Sequence, residues 1–128
     1  MPSLNLTVLP ETFAVCQLDP NMPLPNQIMT APFWSITRTA DELSLVVSES
    51  FAPAEATIET GWRALKVAGP LDFALVGILA ALTQPLAEAG ISIFAISTYD
   101  TDYLLVKITE LERTVTVLRA QGHKISVA

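Results

Sequence analysis

Residues 62–127 carry a fixed alternation of strand and helix patterns, and this order restricts the possible folds more than any other feature of the chain. Short apolar runs typical of strands are separated by longer segments whose apolar residues recur at helical spacing. In order, the predicted elements are a strand Trp62–Val67, a helix, a strand-turn-strand hairpin Gly90–Lys107, a second helix, and a strand Lys124–Val127. The βαββαβ order within about 65 residues predicts the ferredoxin-like plan.

The predicted helix boundaries follow from capping residues. Asp72 is the expected N-cap of the first helix, Pro85 is expected to bend or shorten it, and Gly90 is the expected C′ residue. The second helix is predicted to begin at a capping box, Thr109–Glu112, and to stop at Gly122. The apolar positions that define the first helix are Leu75, Ile78, Leu79, Leu82 and Leu86.

The first half of the chain predicts strands with a proline-rich interruption. Leu4–Leu9 alternates apolar and polar residues, Pro10 is expected to break this strand, and Phe13–Leu18 is a second apolar run. The remaining predicted elements are a loop over residues 19–32 with at most one helical turn near Gln27 and Ile28, a hairpin of Phe33–Thr37 with Leu43–Ser48, and a connector with helical tendency over residues 50–60.

A shift of 60 positions places the first half on the second without gaps, which predicts an internal duplication. The first copy is expected to be trimmed, because prolines after Asp19 prevent a long helix. Chance similarity between two β-rich stretches is the alternative. The matched residues are Pro10 with Pro70, Phe13-Ala14 with Phe73-Ala74, Trp34 with Phe94, Ile36 with Ile96, Thr37 with Ser97, Glu42 with Asp102, and Leu45-Val46 with Leu105-Val106.

Composition excludes several classes of function. A net charge of −6 with only seven scattered Lys and Arg argues against a nucleic-acid binder and against a polybasic membrane patch. The N-terminus lacks a signal-peptide pattern, and the lone Cys16 excludes an intramolecular disulfide, so a cytoplasmic protein is expected. Cys16 itself is interpreted as a small core residue. The hydrophobic fraction of 51% indicates an additional apolar surface, most simply that of a homodimer.

The segment Gly69–Lys107 resembles the ACT domain, and its strings ISIFAISTYDTDYLLV (Ile91–Val106) and SITRTADELSLV (Ser35–Val46) are similar to ACT modules of the cytosolic arginine sensor and aspartate kinase type. This resemblance implies an α+β protein of two ferredoxin-like βαββαβ modules in tandem, each an antiparallel sheet with helices on one face. The expected modules are a trimmed one at residues 1–60 and a complete one at 61–128. The resemblance also implies a non-catalytic regulatory role, with a ligand bound at a module interface.

Two groups of polar residues suit a free amino acid as ligand. A helix N-terminus at Pro70–Phe73 would offer N–H groups to a carboxylate, and the polar hairpin tip offers acceptors to an ammonium or guanidinium group. The candidate ligand-binding residues are Leu71, Asp72, Phe73, Ser97, Thr98, Tyr99, Asp100, Thr101 and Asp102. Ordinary capping by Asp72 and ordinary turn formation by Asp100 and Asp102 are the alternatives, and the sequence leaves them open.

No motif argues for an enzyme or for a cofactor. The chain has no G-x-S-x-G, P-loop or G-x-G-x-x-G motif, and a metal site built from Asp100, Asp102 and Glu42 would lack the closely spaced oxygens of hard-cation loops. His123 follows Gly122 and is interpreted as a boundary residue. The prediction is a sensor for an amino acid or similar metabolite. The alternatives are a dimerisation module without a ligand and, less favoured, a small enzyme.

Overall fold

Seven strands and two α-helices are formed by residues 3–69 and 76–128, the parts of the chain described by the computed structural model. Short 3-10 helices lie between these elements, at Asn26–Thr30, Glu49–Phe51 and Ile108–Glu110. The elements are β1 (Asn5–Leu18), β2 (Trp34–Arg38), β3 (Leu43–Ser48), β4 (Thr57–Val67), α1 (Ile78–Glu88), β5 (Ile93–Ser97), β6 (Asp102–Lys107), α2 (Leu111–Ala120) and β7 (Lys124–Val127).

The chain divides into a larger unit, Met1–Pro10 with Arg63–Ala128, and a smaller unit, Glu11–Trp62. In the larger unit the strand order is β7-β1-β4-β6-β5, with β7 parallel to β1 and β5 antiparallel to β6. The predicted order strand, helix, strand, strand, helix, strand is confirmed from β4 to β7. The division into modules at residues 60 and 61 stays a prediction.

Both helices of the larger unit pack on the same face of its strands, because their buried residues join one core. Leu82 and Leu86 from α1 and Leu118 from α2 are fully buried in it. This confirms the predicted arrangement of helices on one face. The other buried members of the core are Leu6, Val8, Leu65, Val67, Ile91, Leu104, Val106 and Ile125.

Helix α1 ends where the sequence predicts. Gly90 takes φ +75°, and the next residue, Ile91, donates its N–H to the Leu86 carbonyl at 2.9 Å, which is a glycine-terminated helix end. The helix continues through Pro85 to Glu88. It begins at Ile78 after Gly77, so Gly77 is the observed N-cap. Asp72, the predicted N-cap, lies outside the described residues.

The capping box predicted for α2 is not formed. A 3-10 turn, Ile108–Glu110, leads into the helix, and Glu110 occupies the N-cap position without a side-chain capping bond. The Glu110 carboxylate instead accepts a bond from Arg113 Nη1 at 2.6 Å. The prediction failed because the 3-10 turn shifts the helix start to Leu111, two residues beyond Thr109. Gly122, with φ +92°, follows the helix as predicted.

The smaller unit has the strand order β2-β3-β1-β4, which is the ferredoxin-like order with 3-10 turns in place of long helices. The predicted hairpin is confirmed by the β2–β3 register, in which Trp34 pairs with Val47 and Arg38 with Leu43. The predicted helical turn near Gln27 is the 3-10 helix Asn26–Thr30. A separate core fills this unit, formed by Ala14, Cys16, Ile28, Ala31, Leu45 and Val47.

Pro10 does not break the first strand, contrary to the prediction. β1 is continuous from Asn5 to Leu18. Its residues Asn5–Val8 pair with β7, and Phe13–Leu18 pair with β3. Pro10 lies between these two registers, so its missing N–H removes no bond from either pairing.

Cys16 is a core residue, as predicted. It is 2% exposed, and burial raises the pKa of its thiol. The thiol therefore stays protonated at neutral pH, which is the unreactive form.

Candidate functional site

The tip of the β5–β6 hairpin is a four-residue turn held by its own threonines. Thr98 donates its backbone N–H to the Thr101 carbonyl at 2.8 Å, and its hydroxyl donates to the same oxygen at 3.1 Å. The Thr101 N–H donates to the Thr98 hydroxyl at 3.3 Å. Side-chain bonding of this kind is how threonine stabilises turns, so part of the polar character of the tip is turn chemistry.

The tip of the β2–β3 hairpin in the smaller unit has the same turn. Thr39 donates its N–H to the Glu42 carbonyl at 2.9 Å, and the Glu42 N–H donates to the Thr39 hydroxyl at 3.1 Å. Thr39 therefore corresponds to Thr98 and Glu42 to Thr101, a shift of 59 positions. The strand registers agree with this shift, since Arg38 pairs with Leu43 and Ser97 pairs with Asp102.

The pairing of Glu42 with Asp102 at a shift of 60 is therefore wrong for the hairpins. At the structural shift, Asp41 is the counterpart of Asp100, and Leu43 is the counterpart of Asp102. An acid at the third turn position belongs to both turns, whereas Tyr99 and Asp102 are particular to the larger unit. The proposed match of Phe13-Ala14 with Phe73-Ala74 reaches residues outside the described ranges.

Thr101 fixes the tip of the hairpin to the end of β4. It is 5% exposed, and its hydroxyl donates to the Val67 carbonyl at 2.5 Å. Gly69, two residues further along the chain, passes so close that a Cβ on it would lie 2.9 Å from the Asp100 carbonyl oxygen. The hairpin tip and the residues that follow β4 are thus in direct contact.

A cavity of about 230 Å³ lies at this contact. Lys66 supplies a cationic group and Asp100 an anionic one, so the cavity wall carries charges of both signs. The ammonium of Lys66 lies 5.9 Å from the centre of the Tyr103 ring, within the range of a cation–π contact. The full lining is Lys66, Gly69, Thr98, Asp100, Thr101 and Tyr103.

The structure therefore brings three of the predicted site residues, Thr98, Asp100 and Thr101, to one cavity. Ser97 and Asp102 bind each other beside it, with the Ser97 hydroxyl 2.6 Å from Asp102 Oδ1. They are not among the lining residues, since adjacent residues of a strand point to opposite faces and Asp102 lies between Thr101 and Tyr103.

Tyr99, also predicted as a site residue, stands at the apex of the turn with 81% of its surface exposed. The three remaining candidates, Leu71, Asp72 and Phe73, lie outside the described residues. The predicted carboxylate site at a helix N-terminus falls in the same stretch.

Sequence reasoning missed Lys66, Gly69 and Tyr103. A signal for Lys66 was present, because it is an exposed cation between the buried residues Leu65 and Val67 in an otherwise apolar strand end. Such a lysine is normally a solvated surface residue. The sequence pattern alone is therefore weak evidence that Lys66 belongs to a site, because it does not show which strand lies beside β4.

Within the described ranges, no group of three or more His, Cys, Asp or Glu side chains is placed to hold a metal ion. None of the helices formed by those residues has the length and apolar character that a membrane crossing requires.

Comparison with known protein families gives two matches. A family model described as an ACT domain matches residues 57–120, half of the chain. A second model, for an N-terminal domain, matches residues 11–55. Together the two models cover most of the chain and meet close to the start of β4.

The chain is similar to subunit 1 of the cytosolic arginine sensor for mTORC1 from Bos taurus. The two are 31% identical over an alignment of 97 residues, which covers 67% of this chain and 30% of that protein. This chain therefore spans less than a third of the length of the sensor.

Two solved structures show the fold in other proteins. Protein Atu0741 from Agobacterium tumefaciens has a TM-score of 0.93 and 34% identity, over 100% of this chain and 96% of that one. The ligand-free regulatory subunit of aspartate kinase from Thermus thermophilus has a TM-score of 0.67 and 10% identity, over 91% of this chain and 95% of that one.

Proposed function

Because the chain belongs to the ACT domain family, we propose that it is a non-catalytic sensor that binds an amino acid or a similar small metabolite at the tip of the β5–β6 hairpin. The chain is a regulatory-type ACT protein, related to an arginine sensor and to the regulatory subunits of aspartate kinase. In this proposal the larger unit binds the ligand, and binding changes how strongly the protein associates with itself.

The observation that carries this proposal is the two-signed charge of the 230 Å³ cavity. A free amino acid needs a cation or donors for its carboxylate and an acceptor for its ammonium group. Lys66 and Asp100 supply these two groups from β4 and from the hairpin tip. A bound zwitterion would link the two elements, and this link is a physical means of converting occupancy into a change of shape.

The polar groups around the charges add specificity. The Thr98 hydroxyl is engaged with the Thr101 carbonyl, so it holds the shape of the wall, while the Tyr103 ring restricts the position of the Lys66 ammonium. Ser97, Tyr99 and Asp102, together with Leu71, Asp72 and Phe73, stay predicted ligand contacts.

The first test is a thermal-shift and calorimetric screen of the free amino acids. We expect one or a few to stabilise the protein, and we expect their amides and their deaminated analogues to bind less well, because each lacks one charge. Asp100→Asn should weaken the binding of the ligand about 10- to 100-fold, since a charge-assisted hydrogen bond contributes about 1.5–3 kcal/mol. Lys66→Met should weaken it in the same sense.

Asp41→Asn is the matched control, since Asp41 holds the same turn position in the smaller unit and is not among the residues that line the cavity. It should leave the affinity unchanged. An equal loss from Asp41→Asn and Asp100→Asn would contradict the assignment of the site. No stabilisation by any amino acid would favour the dimerisation module instead, and substrate turnover would show an enzyme.

A cytoplasmic homodimer is the proposed form of the sensor. Large apolar side chains stay exposed in the described part of the chain, with Val127 74% and Ile108 49% exposed, and an exposed apolar surface of this kind suits self-association. Light scattering at micromolar concentration should give about twice the chain mass of 13.8 kDa, and the ligand should change the dissociation constant of the dimer. A monomer with and without ligand would exclude this output.

A further inference from the structure

A second cavity of the larger unit, of about 310 Å³, lies between α1 and the turn that joins α2 to β7. Ala80 and Ala81 form its small-residue side. Its polar groups come from Gln84 and Glu88 of α1 and from Gln121 and His123 of the turn. None of these residues belongs to the hairpin-tip site, so any ligand of this cavity is separate from the proposed amino acid.

His123 is a buried polar residue with one ring nitrogen already used. It is only 6% exposed, and its Nδ1 accepts the N–H of Leu4 at 3.1 Å. An imidazole nitrogen that accepts a hydrogen bond carries no proton, so the proton of the neutral ring lies on Nε2. The packing of the chain terminus thus fixes the tautomer of the ring.

The Nε2–H group is the ring donor that the packing leaves without a partner in the described part of the chain. It has no hydrogen-bond partner among the described residues, and it is not one of the polar atoms sealed from solvent. His123 lines the cavity, although almost all of the residue is buried. A donor that solvent can reach binds water, and a ligand with an oxygen acceptor can replace that water.

Helix α1 supplies a hydrogen-bond acceptor to the same cavity. Glu88 is the last residue of that helix, where the negative end of the helix dipole adds to the negative potential around its carboxylate. Gln84 donates only a long 3.4 Å bond to Glu88 Oε1, which leaves the carboxylate able to accept further bonds. Among the described residues that line the cavity there is no Lys or Arg, so a free carboxylate on a ligand would meet no opposite charge from them.

We propose that this cavity is a second binding site, selective for a small primary amine that also carries a neutral oxygen acceptor, such as an amino alcohol. The ammonium group binds Glu88, and the oxygen accepts the His123 Nε2–H. Gln84 and Gln121 adapt to either end of the ligand, since an amide both donates and accepts. A zwitterion is disfavoured here and favoured at the hairpin tip, which distinguishes the two sites.

The test uses the fact that the chain has a single histidine. In the 15N-labelled protein at about pH 8, where an ordinary imidazole is neutral, long-range 1H–15N spectra show one pair of ring nitrogens. We expect the free protein to show the Nε2–H tautomer. Ethanolamine, titrated to about 10 mM, should shift the Nε2 signal to saturation, whereas ethylamine should bind about tenfold more weakly and glycine not measurably.

Two variants distinguish binding of the amine in this cavity from nonspecific effects of the amine on the spectrum. Glu88→Gln should weaken ethanolamine binding about tenfold, while Glu112→Gln, at an exposed position of α2 outside the cavity, should not. The proposal is overturned if the free ring is the Nδ1–H tautomer, if the Nε2 signal does not move or drifts without saturating, or if both variants bind alike. Asp100→Asn should leave this titration unchanged, so failure of the amino-acid site has no bearing on the result.

Discussion

Thr101→Val is expected to lower the free energy of unfolding by about 1–3 kcal/mol, although valine has nearly the same shape as threonine. The Thr101 hydroxyl donates to the Val67 carbonyl at 2.5 Å in a buried position. Valine removes that donor and leaves a buried carbonyl oxygen without it, and an unsatisfied buried polar group costs about 1–3 kcal/mol. Urea denaturation of the two proteins measures the difference.

Thr101→Ser is the matched control, because it keeps the hydroxyl and removes only a methyl group. It should cost about 1 kcal/mol or less. Valine should also release the hairpin tip from the end of β4, so ligand stabilisation should fall in the valine variant and persist in the serine variant. Equal stability of Thr101→Val and wild type would show that this hydrogen bond does not hold the tip.

The hairpin and the helix ends of the larger unit were predictable because their signals are local. A glycine such as Gly90 at φ +75° is selected by backbone sterics alone, whatever packs around it. Strand alternation likewise requires only neighbouring residues. The failures at Pro10 and at the start of α2 have the opposite character. At Pro10, the pairing with strands that are distant in sequence decides whether the missing N–H removes a hydrogen bond. At the start of α2, a short 3-10 turn places the first helical residue further along the chain.

The two hairpins have the same turn, as a duplication predicts, but the predicted alignment was wrong by one residue in the hairpins. A comparison of apolar strand sequences looks equally good at a shift of 59 or 60 positions, because Leu, Val and Ile match one another in both alignments. The hydrogen bonds of the turns do not tolerate it, since Thr39 and Thr98 must occupy the same position. The correction changes which acid is shared: Asp100 has a counterpart in Asp41, and Asp102 has none.

The candidate cavity was only partly predictable for a related reason. Thr98, Asp100 and Thr101 are close in sequence, so one polar turn reveals them. Lys66 reaches the same cavity because β4 lies beside β6, and no local pattern of the sequence states that adjacency. Tyr103 likewise faces the cavity because β6 places it on the same side as Thr101.

Gly69→Ala is expected to abolish the stabilisation of the protein by its amino-acid ligand and to lower the free energy of unfolding by about 1–3 kcal/mol. A Cβ on residue 69 would lie 2.9 Å from the Asp100 carbonyl oxygen and 3.2 Å from Thr101 Cβ. The first of these atoms belongs to the backbone, so it cannot rotate away as the end of a side chain does. The hairpin tip must therefore move away from the residues after β4, and Asp100 moves with it relative to Lys66.

Gly90→Ala separates this effect from the general cost of replacing a glycine. A Cβ there meets no atom of the described residues within 4 Å, but residue 90 has φ +75°, so alanine should cost about 1 kcal/mol of backbone strain and leave ligand affinity unchanged. Calorimetry of both variants, with denaturation curves, measures the two quantities separately. Because steric contact with the tip acts on the cavity and backbone strain at the end of α1 does not, equal affinities in the two variants would contradict the placement of the ligand at the hairpin tip.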